Sequence, residues 1–241
     1  MKLIITLLLS FAAIVTNAEQ LNIAVASNFL LTMKQLVAAY QQQHPQAINI
    51  SAASTGKLYA QITHGAPYDL FFSADAKRAD LLVKKGLANY PMEYALGQLV
   101  YVAKGSAADC RAALNRKPDT KIAMANPKTA PYGQAAKQVL IKLGRWDALR
   151  SSIVMGENIL QAYQFISTGS AGSGFIAASI AVNADNLDDY CRWQIPASLY
   201  SAVKQKMVIL SRAKDNRIAK DFYRFIRSET AREIIIKNGY R

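Results

Sequence analysis

Residues 47–75 read AINISAASTGKLYAQITHGAPYDLFFSAD, and their pattern decides the fold class. AINISA (47–52) is short and apolar, as a strand is, and KLYAQITHG (57–65) is a helix stopped by Gly65. DLFFSAD (69–75) is again a strand. A strand, a helix and a strand this closely spaced form a parallel crossover unit. Upstream, LNIAVA (21–26) is a buried strand, followed by a helix with Leu30, Met33, Val37 and Tyr40 at helical spacing. Downstream, AKRADLLVKKG is a helix closed by Gly86. This alternation predicts a parallel sheet with helices on both faces.

The rhythm changes at residue 94, where YALGQLVYVAKG is one long extended segment. A second α/β unit follows: strand KIAMAN (121–126), helix 131–144, helix 157–168 and strand GFIAAS (174–179). The extended SAVKQKMVIL (201–210) then precedes two terminal helices. No internal repeat is visible. Two long strands bracketing the middle unit let the chain cross to a second lobe and return. The expected architecture is therefore a bilobed α/β binding-protein fold with a two-strand hinge. Residues 19–98 plus 206–241 form the first lobe, residues 99–205 the second, and the cleft lies at the carboxyl ends of the strands.

The first 18 residues carry one charge, Lys2, then an apolar run and a small-x-Ala ending at Ala18. This is the pattern of an export signal cleaved after Ala18, and it is shorter than the roughly 20 apolar residues of a membrane anchor. In an oxidising compartment, Cys110 and Cys191 form either a disulfide or two separately buried thiols. The net charge is +13, and residues 204–241 hold eleven Lys or Arg against four Asp or Glu. No zinc-finger or RNP motif accompanies that charge, so it reads as a basic solvated surface rather than a nucleic-acid site.

Catalytic signatures are lacking. His44 and His64 sit in helix-end or loop contexts, and with two distant cysteines they give no metal-ligand spacing. Asp69 and Asp75 flank one strand as turn caps do, and no esterase elbow or HExxH is present. The Gly56-Lys57 pair suggests a phosphate loop, but that motif needs glycine where Ser51 stands and a hydroxyl where Leu58 stands. What recurs instead is a small hydroxyl or amide residue where a strand meets a helix. Ser27 and Asn28 precede the first helix, Ser54 and Thr55 the second; Tyr132, Asn158 and Ile159 stand near two helix starts of the middle unit. Helix N-termini offer free N–H groups and a positive dipole end, so four converging on a cleft would hold an anion without a countercharge.

At these residues the chain resembles the periplasmic molybdate-binding proteins of molybdate ABC transporters. The resemblance is carried by AVASNFL, STGKLYAQITHGAPYDLFFSAD, NPKTAPYGQAAKQVLIKLG and IIIKNGY, and spans essentially the mature chain. It implies a monomeric, exported receptor without cofactor that passes molybdate or tungstate to an inner-membrane permease with its cytoplasmic ATPase. It also implies ligand contacts from Ser27, Asn28, Thr55, Tyr132 and the Ile159 amide, with Ser54 beside them. Molybdenum would enter only as the oxyanion, with no protein ligand to the metal. Some members use a tyrosine where this chain has Ala177, so here the tyrosine of APYG takes that place. Lys57 is expected to point to solvent. The competing expectations are a receptor for sulfate, phosphate or a small organic acid, and an exported hydrolase using Asp. No arginine stands at any junction to grip an organic carboxylate.

Overall fold

The computed structural model describes residues 20–105, 109–115 and 119–241; the expected leader, residues 1–18, lies outside them. The chain opens with β1 (Leu21–Ala26), α1 (Leu30–Gln41), β2 (Ile48–Ala53), α2 (Thr55–Thr63), β3 (Leu70–Ser73), α3 (Ala76–Lys84) and β4 (Ala88–Gly97). The middle unit holds β5 (Leu99–Lys104), α4 (Asp109–Ala112), β6 (Ile122–Ala125), α5 (Pro131–Lys142), α6 (Trp146–Leu149) and β7 (Ile153–Gly156). It continues with α7 (Ile159–Ser167), β8 (Ser173–Ala177), α8 (Ala178–Val182) and β9 (Tyr190–Gln194). The chain closes with β10 (Val203–Leu210), α9 (Arg217–Phe225) and α10 (Glu229–Lys237).

Two five-stranded sheets result, ordered β2-β1-β3-β10-β4 and β7-β6-β8-β5-β9. Each has a parallel trio (β2, β1, β3 and β7, β6, β8) followed by a strand antiparallel to both its neighbours. That strand is β10 in the first sheet and β5 in the second, in each case the one that has just arrived from the other lobe. Its reversed direction makes the sheets mixed, where strand-helix alternation alone predicts parallel ones. The two lobes thus share one strand order although no repeat is readable in the residues. β10 belongs whole to the first sheet from Val203 onward, so residues 203–205, expected with the second lobe, are hydrogen-bonded into the first. The other crossing is abrupt, with only Gln98 between β4 and β5.

Side-chain alternation explains the layering of the first lobe. Ile23, Val25 and Phe72 face one side of the sheet and pack with Phe29, Met33, Leu36 and Phe222 of the flanking helical segments. Ala24, Phe71 and Val208 face the other side and pack with Leu58, Ile62 and Leu82 from α2 and α3. Each fully buried Phe or Leu stabilises the fold by about 1.5–3 kcal/mol relative to exposure. A separate core around Tyr101, Val102, Met124, Leu140, Ile166 and Phe175 fills the second lobe. Two strands there are invisible to periodicity. β7 reads IVMG, too short to show a period and with Met155 exposed, and β9 reads YCRWQ without an apolar run; both are edge strands. Cys110 and Cys191 are bonded, Cα–Cα 5.5 Å, tying α4 to β9 across 81 residues of chain.

Candidate functional site

The carboxyl ends of β1 and β2 and the N-termini of α5 and α7 meet around a small cavity of about 10 Å³, lined by Ala26, Ser27, Asn28, Ser54, Thr55, Ala74, Ala130, Pro131, Tyr132 and Ile159. All six residues implied as ligand contacts by the resemblance therefore stand on one cavity, although they come from both lobes, while Asn158 does not line it. Each of the six is at most 6% exposed. Ala177 lies at the end of β8, fully buried, and is not part of this wall. No charged side chain lines it.

These helix starts lack side-chain caps, as do those of α6 and α8. The residues before the short 3-10 turn Ser27–Phe29, α2 and α5 are Ala26, Ser54 and Ala130, and none accepts a side-chain capping bond. By contrast, Asp75, Asn216 and Ser228 cap α3, α9 and α10. A missing side-chain cap costs about 1 kcal/mol; at α2 the Thr129 carbonyl makes up part of it by accepting the Gly56 N–H, and the first-turn amides left over are where an anion would bind. At α7, Asn158 Oδ1 accepts the N–H groups of Leu160 and Gln161 at 3.0 and 3.1 Å and leaves that of Ile159.

The hydroxyls have the same character. The Ser27 and Ser54 hydroxyls have no hydrogen-bond partner among the described residues. Thr55 Oγ1 accepts from the Ala74 N–H at 3.1 Å, which leaves its own hydrogen free to donate. Tyr132 Oη accepts from Gln205 Nε2 at 3.3 Å and likewise keeps its hydrogen. Burial, followed by the neighbouring tyrosines 240, 94 and 200, pushes the Tyr132 hydroxyl well above its ordinary pKa. It is therefore a neutral donor at any physiological pH. Four hydroxyl hydrogens and a set of first-turn amides are donors without protein acceptors, the complement of a fully ionised oxyanion, which only accepts.

Asn28 differs from the expectation. Its amide nitrogen donates to Gln205 Oε1 at 2.9 Å and to Tyr240 Oη at 3.0 Å, so both side-chain hydrogens are used away from the cavity. Its carbonyl accepts from Ser179 Oγ at 2.9 Å, and Tyr240 Oη lies 2.8 Å from it. Asn28 thus ties the first lobe to the second and to the C-terminal segment, and only its main chain is left for a ligand.

The sequence reading missed Gln205. It is fully buried in β10 and joins Asn28 of one lobe, Tyr132 of the other and Tyr94, whose hydroxyl donates to Gln205 Oε1 at 2.9 Å. Val203, Gln205, Met207 and Ile209 alternate with Lys204 and Lys206. A glutamine on the inward side of such a strand signals a buried polar partner. Gly97 stands beside this pair: a Cβ there would lie 2.2 Å from Tyr132 Oη and 2.8 Å from Gln205 Nε2. Only glycine lets that hydroxyl sit against the hinge.

The Lys57 side chain is 54% exposed and does not line the cavity, in keeping with the expectation, and it pairs with the exposed Glu157 across the cleft at 3.2 Å. His44 stacks on Tyr40, and His64 is exposed with Nδ1 2.7 Å from the Ala60 carbonyl. Asp69 binds the Asn22 N–H and Arg212, and Asp75 caps α3; none of these lines the cavity. No described helix is long and apolar enough to cross a membrane.

Known proteins resemble this chain along its length. The model of the bacterial extracellular solute-binding protein family matches residues 21–241. The molybdate-binding protein ModA of Azotobacter vinelandii is 37% identical over 99% of this chain and 96% of its own length. That of Rhodobacter capsulatus is 36% identical over 90% and 86%. Among solved structures, the periplasmic molybdate-binding protein of Azotobacter vinelandii superposes with a TM-score of 0.87 at 35% identity, covering 92% of this chain and 98% of that one. The sulfate-binding protein SubI of Mycobacterium tuberculosis shares the fold, with a TM-score of 0.74 at 11% identity over 92% of this chain and 86% of that one.

Proposed function

This chain belongs to the bacterial extracellular solute-binding proteins, and from that premise we propose that it captures molybdate, and tungstate with it, for an ABC permease. The observation that carries the reading is the convergence of helix starts without side-chain caps and of free hydroxyl donors from both lobes on one uncharged cavity. Ser27, Thr55 and Tyr132 donate hydroxyl hydrogens to the oxyanion, and Ser27, Asn28, Thr55 and Ile159 donate main-chain N–H groups. Ser54 adds a further hydroxyl. Each bond to the charged ligand contributes about 1.5–3 kcal/mol, and six or seven of them outweigh the cost of bringing the lobes and ligand together.

Nothing in this donor set needs to lose or gain a proton, so capture is insensitive to pH wherever the ligand stays a dianion. Metal chemistry is not involved: molybdenum is held only through its oxygens. The chain acts by binding rather than by turnover, as a monomer outside the cytoplasm, and hands its ligand to a membrane permease coupled to a cytoplasmic ATPase. Discrimination against sulfate rests on anion size, because charge and shape are the same.

Isothermal titration with molybdate, tungstate, sulfate and phosphate tests this. The expected result is saturable heat at 1:1 stoichiometry with the first two and none with the others. Heat with sulfate or phosphate alone would refute the molybdate assignment and leave a receptor for a smaller oxyanion.

A further inference from the structure

Gly56 follows Thr55 on the cleft, yet neither backbone conformation nor the cavity explains why it is a glycine. It lies in the first turn of α2 and is absent from the glycines at positive φ. Alanine is the better helix former at such a position. Nor is it among the residues lining the cavity. Its N–H instead crosses to the other lobe, donating to the Thr129 carbonyl at 2.8 Å. The contact is tight: a Cβ on residue 56 would stand 2.9 Å from Thr129 O, 3.1 Å from Thr129 Cα and 3.2 Å from Arg78 Nη2. The first two are main-chain atoms of the opposite lobe, which can yield only if the lobe moves. Two more lobe–lobe contacts lie alongside: Arg78 Nη2 donates to the Lys128 carbonyl at 3.2 Å, and Lys57 pairs with Glu157.

We propose that Gly56 is the closure-determining position of this receptor: its missing side chain lets the Thr129 carbonyl cap α2 from across the cleft, and this sets ligand affinity without touching the ligand. In each lobe alone the glycine has no structural task. Its value appears only when the lobes meet, because the clash it avoids and the hydrogen bond it makes both involve the partner lobe. Any side chain at residue 56 therefore holds the lobes apart by a few tenths of an ångström and weakens every donor contact that spans them.

The inference rests on reading the cavity as an oxyanion site, so the test separates the two. Wild-type protein and Gly56→Ala are compared by molybdate titration calorimetry, by stopped-flow release of molybdate, and by thermal unfolding without ligand. The expected variant melts at or above the wild-type temperature, since alanine favours the helix. Its Kd for molybdate rises on the order of tenfold to a hundredfold, as for overpacking in a dense contact, through faster release. Lys57→Met, which removes the exposed ion pair and adds no bulk at residue 56, should change Kd less than about fivefold. Wild-type protein that gives no heat with molybdate would sink the site reading itself. Wild-type binding with Gly56→Ala within twofold of it would overturn the closure role, as would a lower melting temperature of the ligand-free variant. A larger effect from Lys57→Met than from Gly56→Ala would also overturn it, by placing closure in the ion pair.

Discussion

Replacing Gln205 with leucine tests whether the hinge strand organises the cleft. Gln205 accepts from Asn28 and Tyr94, each at 2.9 Å, and donates to Tyr132 at 3.3 Å. Leucine is of similar size and fills the space but makes none of these bonds. Asn28 keeps Tyr240 as a partner and loses one of two acceptors. Tyr94 keeps only a long contact, 3.4 Å, to the Ser73 carbonyl, and Tyr132 loses the donor that holds its oxygen. Leaving a buried polar group unpaired costs about 1–3 kcal/mol, and the three are only partly orphaned, so about 2–4 kcal/mol in total is expected. At about 2–4 °C per kcal/mol for a chain of this size, the ligand-free melting temperature should fall by roughly 4–16 °C. Molybdate affinity should fall as well, because Asn28 and Tyr132 belong to opposite lobes. Loss of one charge-assisted bond at about 1.5–3 kcal/mol corresponds to roughly a tenfold to hundredfold rise in Kd. Calorimetric titration and thermal unfolding of purified Gln205→Leu provide both numbers. A variant that melts within 1 °C of wild type and binds equally well would refute the hub role.

Three further outcomes are expected. Ser27→Ala with Thr55→Ala removes two hydroxyl donors and should abolish most molybdate binding in titration, while the ligand-free melting temperature falls by roughly 2–12 °C because the buried Ala74 N–H loses its acceptor. Burial raises the hydroxyl pKa values of Tyr94, Tyr132 and Tyr240 above the ordinary value of 10.0. In the unfolded chain they ionise near pH 10, so their contribution is complete below that pH and is lost as pH rises beyond it. A melting series should accordingly stay flat in this respect from pH 7 to 9 and fall steeply above 10, and a flat profile to pH 11 would contradict it. Reducing Cys110–Cys191 opens a loop of 81 residues, worth about 4 kcal/mol in the chain-entropy account. The melting temperature should drop by roughly 8–16 °C, while the molybdate Kd changes little because neither cysteine lines the cavity.

Much of this protein was legible in its residues because the signals are local. Strand-helix alternation placed β1, β2, β3, β6 and β10, small hydroxyl residues at helix starts marked Ser27 and Thr55, and the family resemblance added Tyr132 and Ile159, all four of which the fold brings to one cavity. What stayed hidden depends on partners distant in sequence. β7 and β9 are short edge strands whose identity comes from a neighbour's hydrogen bonds rather than from apolar periodicity. Asn28 looked like a ligand donor, but Gln205, 177 residues away, takes one of its amide hydrogens.

The division follows from the range of the physics. Helix starts, strand periodicity and the lack of charge at the junctions are set within a few residues of chain, so the residue pattern alone specifies a two-lobed α/β protein whose junctions offer neutral donors. Tertiary structure decided which donors remain free. Gln205 and Tyr240 occupy the Asn28 amide, Thr129 takes the Gly56 N–H, and Glu157 takes Lys57. A hydrogen bond between lobes depends on where two distant segments meet, and no local pattern encodes that distance.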